Sequence, residues 1–221
     1  MLIMEQQQAF LFDLNGTVIN DMEFHIQSWY QILNKLGATI SYEETKLQCY
    51  GKNEELLERI FPGRFSSEEI NTMIIEKETR YQENFRPYMK LIDGLGEFLE
   101  KAYTANIKMA IGSAAIPFNI NYILDGLQLH KYFPVVVSAY DVVESKPHPE
   151  TFLQCAEKLN VAAQDCIVFE DSPKGVEAAA RAGMKAVVIT TMHTPDEFYG
   201  DNIICFIENY EGLFEKLAVK M

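Results

Sequence analysis

Long apolar runs are missing from this sequence, and none of its segments has the length needed to cross a bilayer. Residues 1–8 also lack the basic segment and apolar stretch that make up a secretory signal. The four cysteines form no Cys-x-x-Cys pair, which argues against both a zinc site and a disulfide framework. We therefore expect a reduced, cytoplasmic protein.

Basic side chains are scarce, with 19 Lys and Arg against 32 Asp and Glu and a formal net charge of -13. An acidic chain repels nucleic acid and anionic lipid, so we expect neither nucleic acid nor a membrane as a partner. The simplest reading of the charge is solubility, and we expect a monomer. Any anionic ligand needs a local positive site, because the overall field opposes it.

The apolar pattern changes along the chain. Ala9–Leu14 is predicted as a buried strand, because it is short and aromatic and stops at a glycine turn. Residues 20–87 carry apolar side chains at helical spacing, whereas strands alternate with helices after Gly94. The later strands are predicted over Ile107–Ile111, Pro134–Ser138, Cys166–Phe169 and Ala186–Ile189.

This order of elements predicts an α/β fold, with a doubly wound, Rossmann-like parallel sheet and an inserted α-helical domain. We predict a core domain formed by residues 1–19 and 88–221 and a helical domain formed by residues 20–87. Two connections join them, and we expect the helical domain to lie over the strand ends as a lid.

Four motifs follow predicted strand ends, where parallel sheets place their sites. They are Asp13-x-Asn15-Gly16-Thr17, Ser113, Lys146-Pro147 and Glu170-Asp171. Taken singly, each motif has a structural explanation as a turn, a helix cap or a solvated lysine. Four of them in order at successive strand ends indicate a shared site.

The residue types in these motifs suit phosphoryl transfer. Asp13 is a candidate nucleophile that attacks phosphorus to give an aspartyl-phosphate. Thr17 and Ser113 are candidates to donate hydrogen bonds to phosphate oxygens, and Lys146 supplies positive charge.

Two carboxylates and a phosphate repel one another, so a cation has to lie among them. Asp13 and Asp171 offer hard oxygen ligands for Mg²⁺, with the backbone carbonyl of Asn15 as a third. Glu170 is a candidate for an outer contact. The metal-site prediction is therefore Asp13, Asn15, Glu170 and Asp171 with Mg²⁺ as the cofactor.

In motif order, strand context and the insertion after the first motif, the chain resembles the haloacid dehalogenase superfamily over nearly its whole length. Within it, the chain is most similar to the β-phosphoglucomutase-like branch, which has a small helical cap. The resemblance implies phosphatase or phosphoglucomutase-like action on a small phosphorylated metabolite. It also implies a set of substrate-binding residues, which are His25, Trp29, Gly51, Lys52, Lys77 and Ala114.

The chain departs from the family pattern at Asn15, where the motif has a second aspartate that acts as general acid and base. An amide keeps the shape but cannot carry that proton. Three explanations are open: an engineered position, a substrate whose leaving group needs little protonation, or a protein that only binds phosphorylated ligands. His25 is a candidate to replace the missing proton shuttle.

The phosphoglucomutase reading is also weakened by Glu54, which stands where that branch has a phosphate-gripping arginine. Ile116 and Pro117 stand where the branch has a lysine and an asparagine. A second phosphate is then poorly held unless Lys52, Lys77 or Arg80 compensates, so hydrolysis of a phosphate ester is as well supported as isomerisation. A dehalogenase using Asp13 without a metal is a further alternative.

Overall fold

A computed structural model describes residues 9–219 of the protein; residues 1–8, where no secretory signal is predicted, lie outside the described part. Its sheet has six parallel strands in the order β3-β2-β1-β4-β5-β6. This arrangement confirms the predicted doubly wound α/β fold. The strands are β1 Ala9–Phe12, β2 Lys108–Gly112, β3 Val135–Val137, β4 Cys166–Glu170, β5 Lys185–Ile189 and β6 Ile203–Ile207.

Helices fill the chain before β2 and the crossovers between the later strands. Four lie between β1 and residue 86, namely α1 Met22–Lys35, α2 Tyr42–Gln48, α3 Asn53–Ile60 and α4 Ser67–Phe85. The others are α5 Leu95–Thr104, α6 Pro117–Gly126, α7 Glu150–Leu159, α8 Pro173–Arg181 and α9 Leu213–Val219. Among the described residues, no helix has the length and apolarity that a membrane crossing requires.

The central strand β1 fixes the position of the site. All four of its residues are fully buried, as expected for a parallel strand covered on both faces. Phe12 pairs with Ile111 of β2 and with Phe169 of β4, so these three strands end at nearly the same level. The residues that follow them therefore share one edge of the sheet.

Two elements were not predicted from the sequence. Helix α2 has the sequence YEETKLQ, which is too polar to show an apolar helical period, although Ser41 and Glu44 form a capping box at its start. Strand β6 is an edge strand whose residues are mostly half-buried; its sequence, IICFI, is a short apolar run typical of a strand, but it was not assigned from the sequence. Its formation depends on pairing with β5, which only the folded chain provides.

The chain divides into two compact units. One unit contains the sheet and its helices; it runs up to Asn20 and resumes at Lys90. The other unit, Asp21–Met89, is helical. Inside the sheet-containing unit the two connecting segments pair, with the Ile92 N–H donating to the Val18 carbonyl at 3.0 Å. The assignment of these units as core and cap domains stays a prediction.

Candidate active site

Asp13 directly follows β1 and is nearly buried, with 9% of its surface exposed. Its backbone N–H donates to the carbonyl of Phe169 at 2.9 Å, which continues the pairing of β1 with β4. Its carboxylate accepts a hydrogen bond from Lys146 at 2.6 Å. The strand pairing thus fixes the backbone of Asp13, and the lysine fixes its side chain.

Lys146 is the cation of this site. Its ammonium donates to Asp13 Oδ1 at 2.6 Å, to Glu170 Oε1 at 2.7 Å and to the carbonyl of Gly112 at 3.0 Å. Burial on its own lowers the pKa of Lys146, but the charges of Asp13 and Glu170 raise this pKa above its ordinary range. The side chain therefore stays charged, and all three of its protons are used.

Glu170 is saturated by hydrogen bonds. Its Oε2 accepts from the N–H groups of Asp171 and Ser172 and from the Ser172 hydroxyl, at 2.8–2.9 Å, while its Oε1 accepts from Lys146. The Ser172 hydroxyl in turn caps α8 by accepting from the N–H of Gly175. Glu170 therefore orients Lys146 and the start of α8, and the proposed metal contact remains an outer one.

Asp171 lies against the backbone of Gly16. A Cβ atom added to Gly16 would stand 2.0 Å from Asp171 Oδ2, and the φ of Gly16 is +78°. Burial and then the charges of Glu170 and Asp13 raise the pKa of Asp171 well above its ordinary value. The Asp171 carboxylate is thus held close to residues 13–17, called here the Asp13 loop, in surroundings that disfavour its ionised form.

The donor set fits a divalent cation. Three carboxylates share this buried space with one ammonium, and burial first, then the charges of Glu170 and Asp13, raises the pKa of Asp171. Residues 9–219 contain no group of three His, Cys, Asp or Glu side chains arranged as a metal site. The predicted direct ligands are instead two carboxylates, Asp13 and Asp171, and the carbonyl of Asn15, a small oxygen set that suits a partly hydrated Mg²⁺.

Two hydroxyl groups lie at the same edge of the sheet. Thr17 is fully buried, and within residues 9–219 its Oγ1 has no hydrogen-bond partner. A buried hydroxyl left in this way is costly, and a ligand oxygen would satisfy it. The Ser113 Oγ accepts from the N–H of Ala115 at 3.1 Å, which leaves its proton for donation.

The helical unit contains a second buried polar group, built on His25 and Lys77. The Lys77 ammonium lies 2.6 Å from His25 Nδ1 and 3.0 Å from Glu78 Oε1, and Lys77 is only 2% exposed. Asp21 accepts from the Tyr81 hydroxyl and lies 3.3 Å from His25 Nε2. Both ring nitrogens of His25 therefore face partners inside this unit.

The charges in this group largely offset one another. Burial opposes ionisation of Glu78, but Lys77, and after it His25 and Asn53, lower the pKa of Glu78 below its ordinary value. Lys77 also lies 5.6 Å from the ring centroid of Trp29. Lys77, which resembles a phosphate-binding lysine by position, thus has an internal counter-ion.

The predicted residues divide between the two units. The sheet-containing unit holds Asp13, Asn15, Thr17, Ser113, Lys146, Glu170 and Asp171, with Lys146 in the loop that precedes α7. Ala114 is half-buried beside Ser113. His25, Trp29, Gly51, Lys52 and Lys77 belong to the helical unit, where Lys52 is 8% exposed just before α3.

Sequence reasoning missed two residues that hold the Asp13 loop. The Thr191 hydroxyl donates to the Gly16 carbonyl at 2.7 Å, and the Tyr210 hydroxyl donates to the Thr17 carbonyl at 3.0 Å. Burial, then Asp171 and Asp13, raise the pKa of Tyr210, which keeps this donor protonated. Thr191 lies just after β5, so it could have been found because parallel sheets place their sites at the carboxyl ends of strands. No local sequence pattern marks Tyr210.

Comparisons with known proteins give the family and the fold that the chain resembles. Residues 10–189 match the family model described as haloacid dehalogenase-like hydrolase. The chain is 28% identical to a fructose-1-phosphate phosphatase of Escherichia coli, over 83% of this chain and 96% of that protein. It is 30% identical to a β-phosphoglucomutase of Bacillus subtilis, over 81% of this chain and 82% of that protein.

A solved structure of β-phosphoglucomutase from Clostridium difficile superposes on the chain with a TM-score of 0.84. The two chains are 27% identical, and the match covers 97% of this chain and 96% of the other. The likeness therefore extends through both the sheet and the helical segment of the sequence.

The contact between Gly16 and Asp171 predicts that Gly16→Ala lowers the free energy of unfolding more than the same substitution at another glycine. Gly183 is the matched control, since its φ of +75° is similar and a Cβ there would meet nothing within 4 Å. We expect Gly183→Ala to lose about 1–2 kcal/mol from the left-handed backbone alone. Gly16→Ala should lower the free energy of unfolding, measured in urea, by more than Gly183→Ala, because Asp171 must also move. Equal losses in the two variants would contradict the contact between Gly16 and Asp171.

The Thr191 hydrogen bond predicts a looser Asp13 loop in Thr191→Val. The control is Thr190→Val, because the neighbouring Thr190 hydroxyl donates to Ile207 at 3.2 Å, away from the loop. Hydrogen exchange of the amides at residues 14–19 should become about fivefold faster in Thr191→Val, equivalent to about 1 kcal/mol. Unchanged exchange, or the same increase in Thr190→Val, would show that Thr191 does not hold the loop.

Proposed function

Because this chain belongs to the haloacid dehalogenase-like hydrolase family, we propose that it moves the phosphoryl group of a small phosphorylated sugar through Asp13. The chain is a phosphohydrolase- or phosphoglucomutase-like enzyme. The observation that carries the finer proposal is the buried Lys146, which binds the Asp13 carboxylate beside Asp171. The named relatives that act on sugar phosphates support the substrate class.

In the first step, a carboxylate oxygen of Asp13 attacks phosphorus and forms the aspartyl-phosphate bond. The bond from phosphorus to the ester oxygen breaks, and its electron pair stays on the departing oxygen. Lys146 holds Asp13 in place for this attack, and the hydroxyls of Thr17 and Ser113 donate to the phosphoryl oxygens.

In the second step, water or a second substrate hydroxyl attacks the phosphorus and breaks the aspartyl-phosphate bond. The Asp13 carboxylate is then restored, and its return to the bond with Lys146 completes the cycle. Water as the acceptor gives a phosphatase, whereas a substrate hydroxyl gives a phosphoglucomutase-like reaction. The expectation that the helical unit acts as a lid over this chemistry stays a prediction.

Mg²⁺ is the cation we propose for this site, held by Asp13, Asp171 and the Asn15 carbonyl. It would neutralise the charge that two carboxylates and a phosphoryl group place in one small space. The raised pKa of Asp171 supports this proposal, because burial and then the charges of Glu170 and Asp13 oppose its ionised form, and a bound cation would favour that form.

Asn15 limits the chemistry, because the departing ester oxygen needs a proton that an amide cannot give. The loss of general acid catalysis costs about a hundredfold to ten-thousandfold in rate. The chain as translated therefore suits a substrate with a good leaving group, such as an acyl phosphate or pyrophosphate, or it serves as a binder of phosphorylated ligands.

Hydrolysis is better supported than isomerisation through a bisphosphate. A second phosphate needs a cation to hold it, and Lys77 in the helical unit is already engaged by Glu78 and His25. Glu54 adds a negative charge in the same unit, and its Oε2 is buried without a hydrogen-bond partner in the described part of the chain. These charges favour a substrate with a single phosphate.

A panel of sugar phosphates with Mg²⁺, assayed for released phosphate, tests the proposal on the wild type and on Asn15→Asp. We expect Asn15→Asp to raise turnover about a hundredfold to ten-thousandfold, since it restores the acid and base. Asp13→Ala should abolish turnover in both backgrounds while the far-ultraviolet circular dichroism stays native.

Asp201→Ala removes a carboxylate from an exposed loop and should turn over like its parent. Turnover that survives Asp13→Ala would contradict the role of Asp13. Binding of vanadate without turnover in any variant would instead favour the non-catalytic binder.

A further inference from the structure

Asn15 is the only asparagine in the sequence that is followed directly by a glycine. An asparagine side-chain amide is open to attack by the backbone nitrogen of the next residue. Glycine hinders that attack least, because it has no Cβ and the widest backbone freedom. The Asn15-Gly16 pair is therefore the position of this chain most disposed to spontaneous deamidation.

We propose that Asn15 is a deamidation site, and that the aspartate formed supplies the acid and base that the first motif lacks. The chemical half of this inference stands on the residue pair and its geometry. The catalytic half rests on the function proposed above.

The reaction requires only water. The Gly16 nitrogen forms a bond to Cγ of Asn15, the side-chain nitrogen leaves as ammonia with the proton of the backbone amide, and a five-membered cyclic imide remains. Water then opens the ring. Cleavage between Cγ and the Gly16 nitrogen gives aspartate with a normal backbone, and cleavage at the backbone carbonyl gives isoaspartate.

The site itself dictates the glycine. A Cβ at position 16 would stand 2.0 Å from Asp171 Oδ2, and the φ of +78° is strained for any residue with a side chain. Position 16 is thus constrained to glycine by the approach of Asp171. An asparagine at position 15 is consequently always followed by glycine, the neighbour that hinders deamidation least.

The turn around Gly16 sets the rate of ring closure. Asn15 is half-buried, whereas Gly16 is buried. Thr191 holds the Gly16 carbonyl at 2.7 Å, and the Leu14 carbonyl accepts from the Val18 N–H at 2.9 Å. These bonds must loosen before the Gly16 nitrogen can reach Cγ, so weakening the turn should accelerate deamidation.

Only one of the two products restores the motif. Aspartate at position 15 keeps the backbone of the Asp13 loop and adds a carboxyl group that can give and take a proton. Isoaspartate inserts an additional backbone carbon between positions 15 and 16. That insertion displaces Gly16 from Asp171, so the isoaspartate form should stay inactive.

The test follows the full-length wild type during incubation at mildly alkaline pH. Peptide mapping by mass spectrometry measures the asparagine, aspartate and isoaspartate fractions at position 15. Phosphate release is measured in parallel on the sugar phosphate that Asn15→Asp hydrolyses fastest. The comparison variants are Asn15→Gln, which would need a six-membered ring, and the pair Thr191→Val and Thr190→Val.

We expect turnover to rise in proportion to the aspartate fraction, towards the value of Asn15→Asp, while Asn15→Gln stays about a hundredfold lower. Thr191→Val should deamidate faster than Thr190→Val. If Asn15 stays intact while Asn15→Asp is active, this inference is overturned and the proposed function stands. If aspartate accumulates but neither the aged protein nor Asn15→Asp releases phosphate, the catalytic half is overturned together with the proposed function.

Discussion

The buried contact between Lys146 and the carboxylates at the end of the sheet is the constraint on which the rest of the site depends. One ammonium bonds Asp13 and Glu170, and Asp171 adds a further carboxyl group beside them. Burial makes each unpaired charge expensive, so the protein keeps the lysine fully bonded and leaves Asp171 with a raised pKa. The site thus contains more carboxyl groups than ammonium groups at the place where a cation and a phosphoryl group are proposed to bind.

The parallel sheet explains why the sequence could predict that the residues after these strands lie close together. Asp13, Ser113 and Glu170 lie at the ends of β1, β2 and β4, and equal register brings these ends together whatever the intervening chain does. Long-range support was harder to foresee. Tyr210 donates to a carbonyl 193 positions away along the chain, and no local pattern signals such a bond. The edge strand β6 was missed for a different reason, because its apolar run Ile203–Ile207 is a local signal that was not used.

The helical unit shows the other limit of sequence reasoning. Lys77 was expected to bind substrate, and a lysine on a helix is ordinarily exposed. The fold instead buries it between His25 and Glu78, a partnership that joins α1 to α4 and leaves little net positive charge. Its predicted contact with substrate stays a prediction. The role of Asn15 also stays a prediction, and the structure adds that its neighbour Gly16 lies against Asp171.

The central claim is that a divalent cation relieves the repulsion around Asp171, and thermal unfolding with and without Mg²⁺ across pH tests it most directly. Because the folded-state pKa of Asp171 is raised, the native protein holds more protons than the unfolded chain in the window between the two pKa values. Without metal, stability should therefore fall as pH rises through that window. Mg²⁺ must displace the same proton, so its stabilisation should grow with pH in the wild type and in Asp201→Asn, and vanish in Asp171→Asn. An equal effect of Mg²⁺ on Asp171→Asn, or no effect on the wild type at any pH, would contradict the account.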